Sequence, residues 1–438
     1  MRKVAKLVAA LTITASLATL ASTGAEAQRR NRGEAAAPAT PTVSRAFGTA
    51  YAPVNTAITA SDWAAADTAL VALKAAASTP YEQFLAAQTE FRIASGTRNA
   101  ARQLTAIDAM IDSNGAPEAD RARLFIAGGQ LAYNAEQFPK AISRLDQAIA
   151  LGNAPQEIQT LRIDAMFRGG QVDQGLAAGN ALIAAERAAG RAVPETIYSL
   201  MARALQQADR DADLSALLIE RMEAYPTAFN YRTAALVFLR IVPADDRNLN
   251  IDTLRFVLAA DAANDRRIYL EHVQNLGEEG LPYEVVQVIT AARASGVVPA
   301  TDATFNGIAD TQSAKLTEDR ASLPGLERRA LASPEARLAT VAGDANLGYH
   351  NNARAEELYT AALTKTGANA DLLNTRIGIA RFQAGNFAGA IEAFDRVQTP
   401  MRRQAARMWT ALSRAKMAPV AAPAAPAAPA TPATPTSN

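Results

Sequence analysis

A spacing constrains this chain more than any other feature. Gly343, Ala355, Tyr359 and Ala362 are followed about 35 residues later by Gly378, Ala390, Phe394 and Val397. Small and large positions thus recur in register between Pro334 and Gln398. Two helices of one hairpin approach closely only where the facing residues are small. Gly378 in a first helix and Ala390 in a second therefore read as contact positions. Phe394 reads as the bulky residue that fills the groove to the next hairpin. Gln383 to Phe387 is the expected turn, with Gly385 free to take a positive φ. In the first copy Tyr349, His350, Asn351 and Asn352 stand at the turn. There Asn is expected to take the left-handed conformation that glycine would otherwise supply.

These residues resemble the tetratricopeptide repeat (TPR) family. The match is strong over Pro334 to Gln398 and over Arg121 to Asn153, and weaker over most of Val43 to Ala418. The family's typical Pro at the end of the second helix is missing from both copies. The resemblance implies an all-α fold, a right-handed α-solenoid of helical hairpins. It implies a concave face, built from the first helices, that holds an extended segment or a helix of another protein. By analogy Asp344, Thr375, Arg376 and Gln383 would line that face. The family's clamp for a peptide carboxylate needs several Lys, Arg and Asn there, and this sequence supplies few.

The same hairpin signals run through the first half. Phe47 to Thr59 and the helix opened by Ser61 or Asp62 form a pair, with Ala66, Leu70 and Leu73 on one face. Pro80 starts the next pair, which turns at Ser95 to Thr97, with Ala101 at the small position, and is broken by Asn114, Gly115 and Pro117. In Arg121 to Asn153, Gly128 and Gly129 lie inside a helix, and Glu136 to Pro139 is the turn. Ala141, Leu145 and Ala148 repeat the small–large–small spacing. Glycine inside a helix costs about 1 kcal/mol relative to Ala, and close helix approach is the ordinary reason to tolerate it. Pro155 and Pro194 begin two further pairs. The stretch 227–333 is less regular, punctuated by Pro243, Pro282, Pro299 and Pro324, and reads as diverged hairpins. Tyr283 to Ala294 is β-branched but bounded by Gly280 and Gly296, so a buried helix is expected rather than a strand.

The ends read differently. Arg2, Lys3 and Lys6, then the apolar run Leu7 to Leu20, then Ala25, Glu26 and Ala27, form the pattern of a secretory signal cleaved after Ala27. The apolar run is short for a span of about 20 residues, so no stable membrane insertion is expected. Residues 28–44 form an expected disordered leader. Residues 401–418 form a basic terminal helix with Met401, Ala405, Met408 and Leu412 on one stripe. It reads as the cap a solenoid requires or, more sharply, as a docking helix for an acidic partner. Prolines at every third position from Pro423 to Pro435 give residues 419–438 the pattern of an extended polyproline spacer. The resulting organisation is a signal over 1–27, a leader over 28–44, hairpins over 45–226, diverged hairpins over 227–333, two TPR copies over 334–400, the basic helix and the tail.

Chemistry is sparse. With 0 Cys there is no disulfide, thiol nucleophile, Cys zinc site or lipid-anchoring cysteine. His272 and His350 are the 2 His, and neither has metal-ligand spacing to another. No phosphate loop or nucleophile elbow occurs. Glu278 and Glu279 are adjacent carboxylates expected to point apart on a turn, facing water. A formal net charge of +1 gives no basic stripe for nucleic acid. The expectation is a non-enzymatic periplasmic scaffold of the cell envelope that binds another protein or peptide segment, with no metal, no cofactor and no catalytic residue. The alternatives are a glycan-acting enzyme whose carboxylates are not located, and a structural spacer in polysaccharide export or outer-membrane assembly.

Overall fold

The computed structural model describes residues 42–152 and 154–418. The expected signal segment, most of the leader and the Ala/Pro tail lie outside the described residues. Those described form 21 helices and no strand. They divide into two compact units between Val193 and Pro194, inside the run read from sequence as one series of hairpins.

The first unit contains α1 (Arg45–Thr59), α2 (Trp63–Ala76), α3 (Pro80–Gly96), α4 (Ala100–Asp112), α5 (Glu118–Asn134), α6 (Phe138–Ala150), α7 (Gln156–Arg168) and α8 (Val172–Ala188). Consecutive helices pack in hairpins. Asp62 caps α2, and Ala66, Leu70 and Leu73 are all buried, as expected. Thr79 and Glu82 form a capping box at the start of α3. The Glu82 carboxylate is fully buried. It accepts from the Ser44, Ser78 and Thr79 amides at 2.6, 2.8 and 3.1 Å, and from the Ser78 hydroxyl. Burial opposes its ionisation, but these donors outweigh burial and hold it down at about 2. Ala101 is exposed rather than a packing position, because the buried face of α4 runs through Leu104, Ile107 and Met110. The pair of glycines in α5 does serve close approach. A Cβ on Gly129 would meet Leu145 Cδ2 of α6 at 2.6 Å, and one on Gly128 would meet Ile107 Cγ2 of α4 at 2.9 Å.

The second unit contains α9 (Glu195–Gln207), α10 (Asp211–Ala224), α11 (Ala228–Leu239), α12 (Arg247–Ala259), α13 (Arg266–Glu278) and α14 (Pro282–Ala294). It continues with α15 (Ala303–Ser313), α16 (Leu316–Ala332), α17 (Ala336–Gly348), α18 (Asn352–Leu363), α19 (Ala370–Gln383), α20 (Phe387–Phe394) and α21 (Pro400–Met417). The β-branched stretch is helix α14, as its flanking glycines predict. The two TPR copies are the hairpins α17–α18 and α19–α20. Their defining contact is repeated. A Cβ on Gly343 would enter the Tyr359 ring and one on Gly378 the Phe394 ring. Gly129 and Leu145 stand in the same relation in the first unit, again 16 residues apart. Gly385 takes the positive φ at the α19–α20 turn, at 78°. At the α17–α18 turn that residue is His350, at 59°, and not one of the asparagines. Asn351 instead donates its side-chain amide to Asn346 Oδ1.

The terminal helix is more than a cap. α21 packs on α20, and also on α10, α12 and α19. Trp409 is 1 % exposed. It stands edge-on to Phe256 of α12 and Phe382 of α19 at 5.7 and 5.2 Å, and stacks on Phe394 of α20 at 6.1 Å. Buried aromatic clusters of this kind contribute large apolar area plus specific ring geometry. Two of the arginines that make α21 basic are taken up internally. Arg402 pairs with Asp246 at 2.8 Å and Arg407 with Glu223 at 2.8 Å. The second unit thus returns on itself, its last helix seated against its second and fourth.

Candidate functional site

The four residues singled out from sequence lie on α17 and α19, and of the residues on different helices the structure pairs Asp344 with Arg376. Gln383 is exposed at the end of α19. Thr375 is fully buried and donates its hydroxyl to the Asp371 carbonyl one turn back. Arg376 and Asp344 meet in an ion pair inside the second unit. Thr375 and Arg376 therefore line no open face. The chain's own α12 bonds Arg376 from the side a partner would approach.

α12 explains why. Eight consecutive or near-consecutive residues from Leu249 to Val257 are buried, so it is enclosed on all sides. Its polar residues Asn248, Asp252 and Arg255 recur at i, i+4 and i+7, which places them on one face. Arg376 donates Nε to Asp252 Oδ1 at 2.7 Å and Nη2 to Asn248 Oδ1 at 2.9 Å. Its third nitrogen pairs with Asp344, which also accepts from the Tyr359 hydroxyl at 2.7 Å. Arg255 contacts the same Asp252 oxygen at 3.2 Å. It then grips Glu284 of α14 with two parallel bonds of 2.7 and 2.6 Å. The Trp409 indole N–H donates to the Asp252 carbonyl at 3.2 Å, which ties α21 to the same point.

The charges settle one another. Burial pulls the Arg376 guanidinium down, but Asp252 and Asp344 outweigh it and hold it well above its ordinary value. Arg255 is held up in the same way against burial, chiefly by Glu284. Glu284 is held below the usual carboxylate range: burial raises it, and Arg255 more than reverses that. His272 of α13 sits beside this pair, 1 % exposed, with neither ring nitrogen hydrogen-bonded. From sequence alone it reads as a helix-surface or partly buried residue, and the structure encloses it. Burial, joined by Arg255, drives it down to about 4, so it is neutral at pH 7.

An arrangement in which each guanidinium faces carboxylates is suited to fixing helices, not to attacking a substrate. The adjacent Glu278 and Glu279 do not point apart. Both carboxylates converge on Arg247, at 2.7 and 2.9 Å. A cavity of about 220 Å³ lies between Glu223, Pro226, Ala411, Arg414 and Ala415. Its one carboxylate, Glu223, is already paired to Arg407.

What the sequence reading missed lies beside the closed cluster. Leu338 and Val341 of α17 are 38 % and 45 % exposed, and Leu331 of α16 is 46 % exposed. The signal was present in outline. Both α17 residues fall off the stripe Ala339, Ala342, Gly343 and Asn346 that makes the helix contact.

No family model matches the chain, and no curated protein matches it. Among solved structures it is similar to that of Naa15/Naa10 bound to HypK-THB, with a TM-score of 0.35 and 12% identity over 80% of this chain. The match takes in 63% of that chain, less than two thirds of its length. It is also similar to yeast Tom70, with a TM-score of 0.24 and 9% identity over 85% of this chain and 96% of that one. The P58(IPK) TPR domain gives a TM-score of 0.22 and 10% identity over 85% of this chain and 98% of that one.

Proposed function

We propose that this chain is a non-enzymatic scaffold that binds another protein, and that it acts in the periplasm after export on its N-terminal segment. The observation that carries the reading is the recurring glycine-to-large-residue contact, at Gly129–Leu145, Gly343–Tyr359 and Gly378–Phe394. Hairpins joined by one repeated contact build long exposed helix faces, and such faces suit recognition of extended or helical segments. The export half of the reading is supported by the charged start, apolar run and Ala25 to Ala27 of the sequence alone.

The test is in-cell crosslinking followed by recovery of the chain from the envelope fraction. A single partner recovered at near-equal amount is expected. A scatter of weak partners, or recovery of glycan in place of protein, overturns the scaffold reading. Finding residues 1–27 still attached to the chain in the cytoplasmic fraction overturns the location.

A further inference from the structure

We infer that the α16–α17 hairpin end is a docking surface for an acidic amphipathic helix of a partner protein. This rests on the scaffold reading above and narrows its partner class. Seven large hydrophobic side chains are exposed among the described residues, and three of them, Leu331, Leu338 and Val341, fall within this one link. Scattered exposed apolar residues are ordinary, whereas a concentration rimmed by charge marks an interaction site. Leu338 and Val341 are one turn apart, and half-buried Ala345 continues the stripe a turn further. The stripe is about 10 Å long at 1.5 Å per residue, the contact length of a crossing helix.

The helices behind the patch are thinly packed. α16 has Ala330 as its one buried residue in 17, and α15 has Phe305 as its one in 11. Although consecutive, the two do not pack on one another as a hairpin. The link itself is held firmly. The Ala336 amide donates to the Thr366 carbonyl at 2.9 Å, the Thr366 amide donates to the Pro334 carbonyl at 3.0 Å, and Lys365 Nζ donates to the Leu331 carbonyl at 3.0 Å. The apolar residues are therefore displayed on a fixed frame.

The sign of the partner follows from the rim. Arg328, Arg329 and Arg337 are exposed and make no ion pair among the described residues. Glu335 is the one acidic residue between positions 328 and 341. The chain's own outlying segments do not complement this charge. Residues 28–41 carry Arg29, Arg30 and Arg32 against Glu34, and residues 419–438 carry no charge. A second copy would bring the same basic patch against itself across a two-fold axis. An acidic helix with Leu at i, i+3, i+4 and i+7 satisfies both the stripe and the rim.

The test uses the full chain and a fluorescein-labelled peptide of about 18 residues, with Leu at that spacing and Glu on its flanks. Its Lys-flanked twin and vesicles of phosphatidylglycerol are run beside it. The acidic peptide is expected to bind at low salt and the Lys twin not to. Binding should weaken about tenfold or more in Leu338→Glu/Val341→Glu and in Arg328→Glu/Arg337→Glu. Val71→Glu, at an exposed apolar site of the first unit, should leave it unchanged. All of these changes are at exposed positions, and circular dichroism melts verify the fold. Equal binding of both peptides, or no loss in the two double variants, overturns the inference. So does binding to vesicles but not to peptide, which would make the patch a lipid contact. Photo-crosslinking from position 341 in cells separates this inference from the scaffold reading. A near-equimolar envelope partner whose crosslinks avoid that position leaves the scaffold standing and sinks the patch. Capture of no partner from any position sinks both.

Discussion

At position 378 the space a methyl group would need is already filled by the Phe394 ring, while at position 307 in α15 nothing lies within 4 Å of the same methyl. One substitution therefore has opposite signs at two helical glycines. Gly378→Ala gains helix propensity but forces the ring off its seat, and should cost about 1–3 kcal/mol. Gly307→Ala should stabilise by about 0.5–1 kcal/mol through unfolded-chain entropy and propensity. Urea midpoints of the two variants measure both, and equal shifts in one direction would contradict the packing described. His272 gives a second prediction at this scale. Its folded value, about 4, lies below the ordinary 6.5, because burial and Arg255 oppose the charged form and Glu284 only partly offsets them. The unfolded chain therefore binds more protons between those limits. Stability is fully present above pH 6.5 and falls as pH drops toward 4, by about 3 kcal/mol for a shift of this size. Below that window Glu284, held under the carboxylate range by Arg255 against burial, adds further loss. His272→Leu should flatten the upper part of this slope. The observable is the pH dependence of Trp409 fluorescence during urea unfolding, with Trp63→Phe silencing the other of the 2 Trp.

At the scale of the element, α21 carries the heaviest expectation. Trp409 is packed by three phenylalanines and bonded to the Asp252 carbonyl, so Trp409→Ala should cost about 3–5 kcal/mol. Arg376→Met leaves Asp252 and Asp344 buried with weaker partners and should cost a similar amount, about 3–5 kcal/mol. Chemical unfolding reads both, and a loss under about 1 kcal/mol in either would show that the cluster is solvated and not closed. The helices themselves were legible in the sequence. Gly343, Gly378 and Ala141 read as small positions and Tyr359, Phe394 and Leu145 as large ones, and periodicity reports such local spacing well. Which residues meet was less legible, since Gly378 reads as facing Ala390 and the structure sets it against Phe394, with Leu145 against Gly129. The fate of Arg376 was not legible, because its partners Asp252 and Asn248 lie 124 and 128 residues away. No repeat register connects them. The polar face of Asn248, Asp252 and Arg255 was readable on α12, but a polar face ordinarily means solvent. Only the return of α19 and α21 turns it into an interior. The same return converts Arg402 and Arg407 from a basic docking face into internal ion pairs. Conversely, the repeat spacing did not single out Leu338 and Val341, which fall off the contact stripe of α17 and are displayed.

For the molecule as a whole, the closure of the second unit distinguishes it from an open stack, in which each hairpin touches only its neighbours. In an open stack a cut between hairpins releases two pieces. Here the thinnest place is the α15–α16 region, with one buried residue in each helix, so trypsin should make its first cut within the second unit at Lys315 or Arg320. The two products should nevertheless stay together. The N-terminal piece holds α10 and α12, and the C-terminal piece holds α19 and α21. Between them run Arg376 to Asp252 and Asn248, Arg402 to Asp246, Arg407 to Glu223, the Ser215 hydroxyl to Gln404, and the Trp409–Phe256 contact. The nicked protein should elute from a sizing column at the volume of the intact chain, and separate into two bands only in denaturant. Separation without denaturant would mean that α21 does not hold the unit closed. Arg376 and Thr375 would then be open to a partner after all. Co-elution would leave partner capture to surfaces outside the closed core, where Leu338, Val341 and their arginine rim are already displayed.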